Sequence, residues 1–185
     1  MHRSGIWLAR LIVCAALLQG GVSALASQQQ KPAVFPPLTA YSLDKQKVDM
    51  PSAFEGQLDL LMISFQPEQH KDIETWLPVA QAVQHSNFNF RYYGLRVSSR
   101  ENILFRWWEV SSMRSDETDP ETLHWIVPLY LDKDEFRRSL NIPSENQVAI
   151  LLSDKQGHIL WRAYGPLTTE NKASLNAALA AAHQN

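Results

Sequence analysis

The chain has 185 residues, 45% of them apolar and 19% charged, with a formal net charge of −2. This composition suits one globular domain and excludes a disordered chain, and the mild acidity offers no electrostatic footprint for nucleic acid. A single cysteine, Cys14, excludes an internal disulfide framework.

Met1 to Ala26 reads as an export signal. Arg3 and Arg10 supply the basic start, Leu11 to Leu18 a short apolar core, and Ala24-Leu25-Ala26 a small-x-small cleavage site. The apolar run is shorter than the roughly 20 residues that span a bilayer. Cleavage after Ala26 is therefore expected, giving a periplasmic or secreted protein that starts at Ser27. Val13 and the apolar Ala15 to Leu18 flanking Cys14 do not fit a lipidation signal. Trimming removes Arg3, Arg10 and Cys14, which leaves 15 Lys+Arg against 19 Asp+Glu and moves the net charge from −2 to −4. The mature chain then has no thiol, so disulfides, thiol catalysis and thiolate metal ligands are excluded by inventory. At about 159 residues it still buries enough apolar surface to stand without crosslinks.

Residues 27–37 read as a flexible leader and 38–182 as the domain. An extended entry at Ala40 to Leu43 leads into a turn at Asp44 to Lys47. Leu58 to Phe65 (LDLLMISF) is nearly continuous apolar sequence, the mark of a strand covered on both faces. Glu68 to His85 has helical spacing, with Ile73, Trp76, Leu77, Ala80 and Val83 on one side. Phe88 to Val97 alternates as a strand. Arg100 to Met113 returns to helical period, with Ile103, Leu104, Trp107 and Val110 inward. Trp125 to Leu131 is a strand that Pro128 confines to an edge or a bulge. Asp132 to Leu140 is a short helix capped by Asp132, with Glu135 completing a capping-box pattern. Gln147 to Ser153 and His158 to Tyr164 flank Asp154-Lys155-Gln156-Gly157, the sharpest hairpin signal. Thr168 to Ala182 closes the chain as an amphipathic helix with Leu175, Ala178, Leu179 and Ala182 inward. The order is that of an α/β domain with a central mixed β-sheet flanked by helices.

One stretch carries a more specific pattern: Ser64-Phe65-Gln66-Pro67-Glu68-Gln69-His70-Lys71-Asp72-Ile73, followed by Pro78. It resembles the active-site turn of the thioredoxin-like (redoxin) superfamily, with a buried strand ending in Phe, a dithiol slot five and eight residues later, and a helix-kinking proline beyond. Counted from Phe65, the slot is filled by His70 and Ile73, and Pro78 matches the proline. The hairpin from Val148 to Gly165 is similar to the superfamily's terminal hairpin, and more distantly to that of the ATP-synthase assembly-factor family. The resemblance implies a thioredoxin-like fold over residues 38–182 without its cysteines. It departs from the pattern in two places. No proline directly precedes the terminal hairpin, where Asn146-Gln147 stands and Pro143 comes early, and the Arg100 to Pro120 insertion is long.

Two function classes remain. The first is a non-catalytic protein that binds another protein or peptide in an assembly or chaperone role. Its candidate residues are Glu68, Gln69 and His70 at the old active-site rim and Arg106, Trp107 and Trp108 on the inserted helix, where exposed Trp with Arg would make an interface hot spot. Trp107 and Trp108 also fit a wide core face, since neighbours on a helix point about 100° apart. The second class is a thiol-independent enzyme or metal-binding protein using His70, whose neutral imidazole could accept a proton or join Glu68 and Glu74 around a metal. A metal site needs three or four converging ligands and only one His is placed, so no metal and no cofactor is expected. His85, His124 and His158 read as ordinary surface or half-buried histidines.

Overall fold

The computed structural model describes residues 33–99, 110–114 and 120–182, all within one compact unit, Lys31–Asn185. The elements are β1 (Leu38–Tyr41), β2 (Lys47–Met50), β3 (Leu58–Ser64), a 3-10 turn (Pro67–Gln69), α1 (His70–Ser86) and β4 (Phe90–Ser98). They continue with α2 (Pro120–Trp125), β5 (Ile126–Tyr130), α3 (Lys133–Ser139), β6 (Ala149–Asp154), β7 (Ile159–Tyr164) and α4 (Thr169–Ala182). Five strands form one mixed sheet in the order β5-β4-β3-β6-β7. β3 runs parallel to β4 and antiparallel to β6, and β4 runs parallel to β5.

The central place of β3 explains its composition. It is hydrogen-bonded along both edges and covered on both faces, so Leu60, Leu61, Met62 and Ile63 are all buried. One face carries α1 and α4. Fully buried Trp76 of α1 meets Trp161 of β7 edge-on at 6.2 Å, and Trp161 donates Nε1–H to Ser174 of α4. The other face carries an aromatic cluster in which Phe54 touches Phe35 and Tyr93, Phe35 touches Phe136 of α3, and Tyr93 touches Trp125.

Several expectations meet their structure closely. Pro128 lies on β5, an outer strand, where a missing N–H costs least. Asp132 caps α3 by accepting the Glu135 N–H at 2.9 Å, and Thr168 Oγ1 accepts the Asn171 N–H at the start of α4. In the β6–β7 turn Asp154 Oδ1 accepts the N–H of Gln156 and of His158, and Gly157 takes φ +87. A Cβ there would lie 2.9 Å from Pro51, so glycine is required twice over.

Two boundaries differ from the sequence reading. Packed structure starts before Leu38: Ala33 and Phe35 are buried, and both bond by backbone to the β6–β7 turn region. The leader is thus anchored from Ala33, because Phe35 is needed to fill the aromatic cluster. Lys47–Met50 forms a strand, β2, antiparallel to β1. Its alternation was hidden by Lys47 and Asp49, which ion-pair on the exposed side while Val48 and Met50 turn inward.

Asp59 breaks the apolar run of β3. It is fully buried, its Oδ1 accepts the Gly56 N–H at 3.0 Å, and its Oδ2 has no hydrogen-bond partner among the described residues. Burial pushes its carboxyl up to about 7, against the Gly56 hydrogen bond and the Arg91 charge, which pull it down.

Two outcomes test this core. Trp76→Phe leaves the Gly165 carbonyl, now bonded by Trp76 Nε1–H at 3.0 Å, without its donor, and should lower urea-unfolding stability by about 1–3 kcal/mol. Asp59 binds a proton more tightly folded than unfolded, so its contribution to stability is full below pH 4 and falls as pH rises to about 7. Asp59→Asn should remove that decline and stabilise the protein at pH 8 by up to roughly 4 kcal/mol, measured by urea titrations at pH 5 and 8.

Candidate functional site

Because β3, β4 and β5 are parallel, their C-terminal ends lie together, and there the chain leaves β3 at buried Phe65. Gln69 holds the following turn. Its side chain is buried, and its Oε1 accepts the N–H of Phe65 at 2.8 Å and of Gln66 at 3.3 Å. Its Nε2 donates to the Glu145 carbonyl at 2.8 Å, so one amide ties the turn to the segment ahead of β6. Two N–H donors on one side and a carbonyl on the other leave a single satisfied orientation of that amide. From α3, Lys133 Nζ donates to the Phe65 carbonyl at 3.1 Å and lies 3.5 Å from the Glu145 carboxylate.

Beside this knot opens a cavity of about 600 Å³ lined by Ser99, Leu131, Asp132, Lys133, Asp134, Glu135 and Glu145. Asp132 is engaged as the α3 cap. Asp134 is paired with Arg137, whose hydrogen bond and charge hold its carboxyl below the usual range. Lys133 and Arg137 offset two of the four lining carboxylates, so the lining keeps a net negative charge that favours cationic groups.

His70 is the first residue of α1 and is exposed, as is Glu68. Its Nδ1 lies 3.0 Å from the Pro67 carbonyl. A carbonyl can only accept, so Nδ1 carries the proton, and in the neutral ring Nε2 is the open nitrogen. Ile73, one turn along, is half-buried against the core, and Pro78 lies inside α1. Thr75 ties the same helix to the chain after β7, since its Oγ1 accepts the Leu167 N–H at 2.8 Å. Among the described residues no three His, Cys, Asp or Glu side chains converge on a possible metal position. No cis peptide precedes β6, and Met50–Pro51 is the one cis bond among the described residues.

The structure therefore gathers Glu68, Gln69 and His70 at one rim, with Gln69 spent on holding the turn. Arg106, Trp107 and Trp108 lie outside the described residues. Sequence reasoning missed Lys133 and Glu145. The Asp132 cap signal placed the start of α3, but nothing local says that it meets Phe65, 68 residues away.

No protein-family model matches the sequence, and comparison with curated proteins finds no match either. Solved structures do match. An electron transport protein described as putative, from Aquifex aeolicus, is 10% identical with TM-score 0.58, covering 80% of this chain and 95% of that one. BsSco, of the Sco family of cytochrome c oxidase assembly proteins, is 12% identical with TM-score 0.51, over 80% and 94%. A thioredoxin-family thiol:disulfide interchange protein from Chlorobium tepidum is 15% identical with TM-score 0.49, over 80% and 94%. The fold is thioredoxin-like. In this thioredoxin-like frame His70 begins α1 and Ile73 follows one turn later, the two places that the sequence resemblance assigns to the dithiol.

Gln69→Glu tests the knot. It keeps the acceptor for the Phe65 and Gln66 N–H groups but sets an oxygen against the Glu145 carbonyl. It should cost more than Gln69→Ala, itself expected to lose about 2–3 kcal/mol, when thermal unfolding of both is compared with wild type.

Proposed function

We propose that this chain is an exported, thiol-free thioredoxin-like protein that binds another protein or peptide where β3, β4 and β5 end, in an assembly or chaperone role. The observation that carries the reading is the content of the dithiol slot. His70 offers an imidazole and Ile73 a hydrocarbon half-buried on the core, and neither can form or break a disulfide. Removal of Met1 to Ala26 on export takes away Cys14, the remaining sulfhydryl. Next to the slot, the acidic cavity and exposed Glu68 suit a basic segment of the partner. BsSco, an assembly-family protein by its description, shares the fold and supports an assembly role by analogy alone.

A second reading, a thiol-independent enzyme or metal-binding protein, has the open Nε2 of His70 in its favour. Equimolar zinc or copper retained by untagged protein and lost in His70→Ala would support it.

For the favoured reading, the protein from Ser27 onward should show no dithiothreitol-driven insulin reduction above buffer, and a measurable rate would overturn it. A photo-crosslinking residue at Glu68 or His70 should give a discrete adduct in the native host. The same residue at Lys155, in the turn between β6 and β7, should give none.

A further inference from the structure

At the opposite pole of the sheet, where β3, β4 and β5 begin, one imidazole stands between two carboxylates from different segments. His124, in the last turn of α2, has Nδ1 3.0 Å from Asp44 Oδ2 and Nε2 3.6 Å from Glu55 Oε1, and its ring rests edge-on against Trp125 at 4.6 Å. Asp44 belongs to the β1–β2 turn and is itself bonded by Ser42 Oγ–H. Glu55 belongs to the 51–57 connection between β2 and β3. We propose that His124 is a proton-operated latch: as imidazolium it holds the 51–57 connection through Glu55, and loss of the Nε2 proton releases that connection while the Asp44 contact stays.

The asymmetry follows from the atoms. An imidazolium carries a proton on both nitrogens: Nδ1–H donates to Asp44, and Nε2–H faces Glu55 at ion-pair distance, longer than a hydrogen bond. The neutral ring keeps one proton, and the shorter, more buried Asp44 contact retains it at Nδ1. Nε2 then turns a lone pair toward the Glu55 carboxylate, and a favourable contact becomes a repulsive one. Imidazole is the side chain whose charge ordinarily changes between pH 5 and 8. Burial raises the Asp44 carboxyl, but the hydrogen bonds from Ser42, His124 and the Gln46 N–H together with the His124 charge bring it below its ordinary range.

Other charged groups bear on this contact. Arg91 of β4 places Nε 3.7 Å from Glu55 Oε2 and can hold that carboxylate once His124 lets go. Asp59 of β3 repels Glu55 when ionised, and Lys155 of the β6–β7 turn acts on Asp59. Tyr93 of β4 accepts the Glu55 N–H at 3.0 Å and stays neutral because burial raises its phenol far above ordinary values. The connection is otherwise held by Gly56 N–H to Asp59 Oδ1, Ala53 N–H to Asp49, Phe54 N–H to Pro51 and Gln57 N–H to Asn89.

Amide hydrogen exchange on the whole folded protein reads the latch directly, after correction for intrinsic rates at each pH. Glu55 and Gln57 should lose protection by roughly two- to fivefold between pH 5 and pH 8, the range of a part-exposed ion pair. The Leu43 amide, which donates to Ile126 beside the Asp44 arm, should keep its protection. His124→Gln should abolish the step, and Glu55→Gln should abolish it without touching the helix that carries the histidine. Asp59→Asn, which removes the buried carboxyl, should leave it intact. Equal protection at both pH values in wild type overturns the proposal, as does a step that survives both His124→Gln and Glu55→Gln or one lost in Asp59→Asn.

Discussion

The structure hangs on β3. A strand bonded to neighbours on both edges and covered on both faces can hold almost no polar side chain, and LDLLMIS obeys that limit except at Asp59 and at its half-buried last residue, Ser64. Its parallel partner β4 and antiparallel partner β6 set the two ends of the molecule apart. The C-terminal end gathers the Phe65 turn, the start of α1 and the cavity. The N-terminal end gathers Asp59, Glu55, Arg91 and His124.

The two ends are built on different chemistry. At the α1 end, a neutral amide and an ammonium satisfy backbone groups: Gln69 answers Phe65, Gln66 and Glu145, while Lys133 answers the Phe65 carbonyl. The Gln69 amide carries no titratable proton, so the contacts it makes beside His70 do not depend on pH. At the other end an imidazole, a buried carboxyl and a guanidinium share charge, and their balance shifts with protons.

Much of the fold was legible because its signals are local. Apolar continuity marked Leu58 to Phe65, helical period marked α1 and α4, and the Asp-Lys-Gln-Gly turn marked β6–β7. Phe65, His70 and Pro78 placed the mouth of α1 by counting. What stayed hidden depends on distant pairing. Lys47 and Asp49 hid the alternation of β2, whose first residue read as the end of a turn, Ala33 and Phe35 looked like leader until the aromatic cluster claimed Phe35, and His124 looked ordinary until Asp44 and Glu55 met it from segments 80 and 69 residues away.

By itself the sequence determined the order from β3 through α1 to β4, the later run from α3 through the β6–β7 hairpin to α4, and the non-sulfur side chains in the dithiol slot, because these are statements about which residue stands where. Tertiary structure alone decided that Gln69 is a buried brace instead of a surface contact, that Lys133 and Glu145 border the same cavity, and that His124 faces two acids. Those facts arise from distances across the fold, and no periodicity or spacing along a chain encodes the distance between segments that meet only when the sheet is assembled.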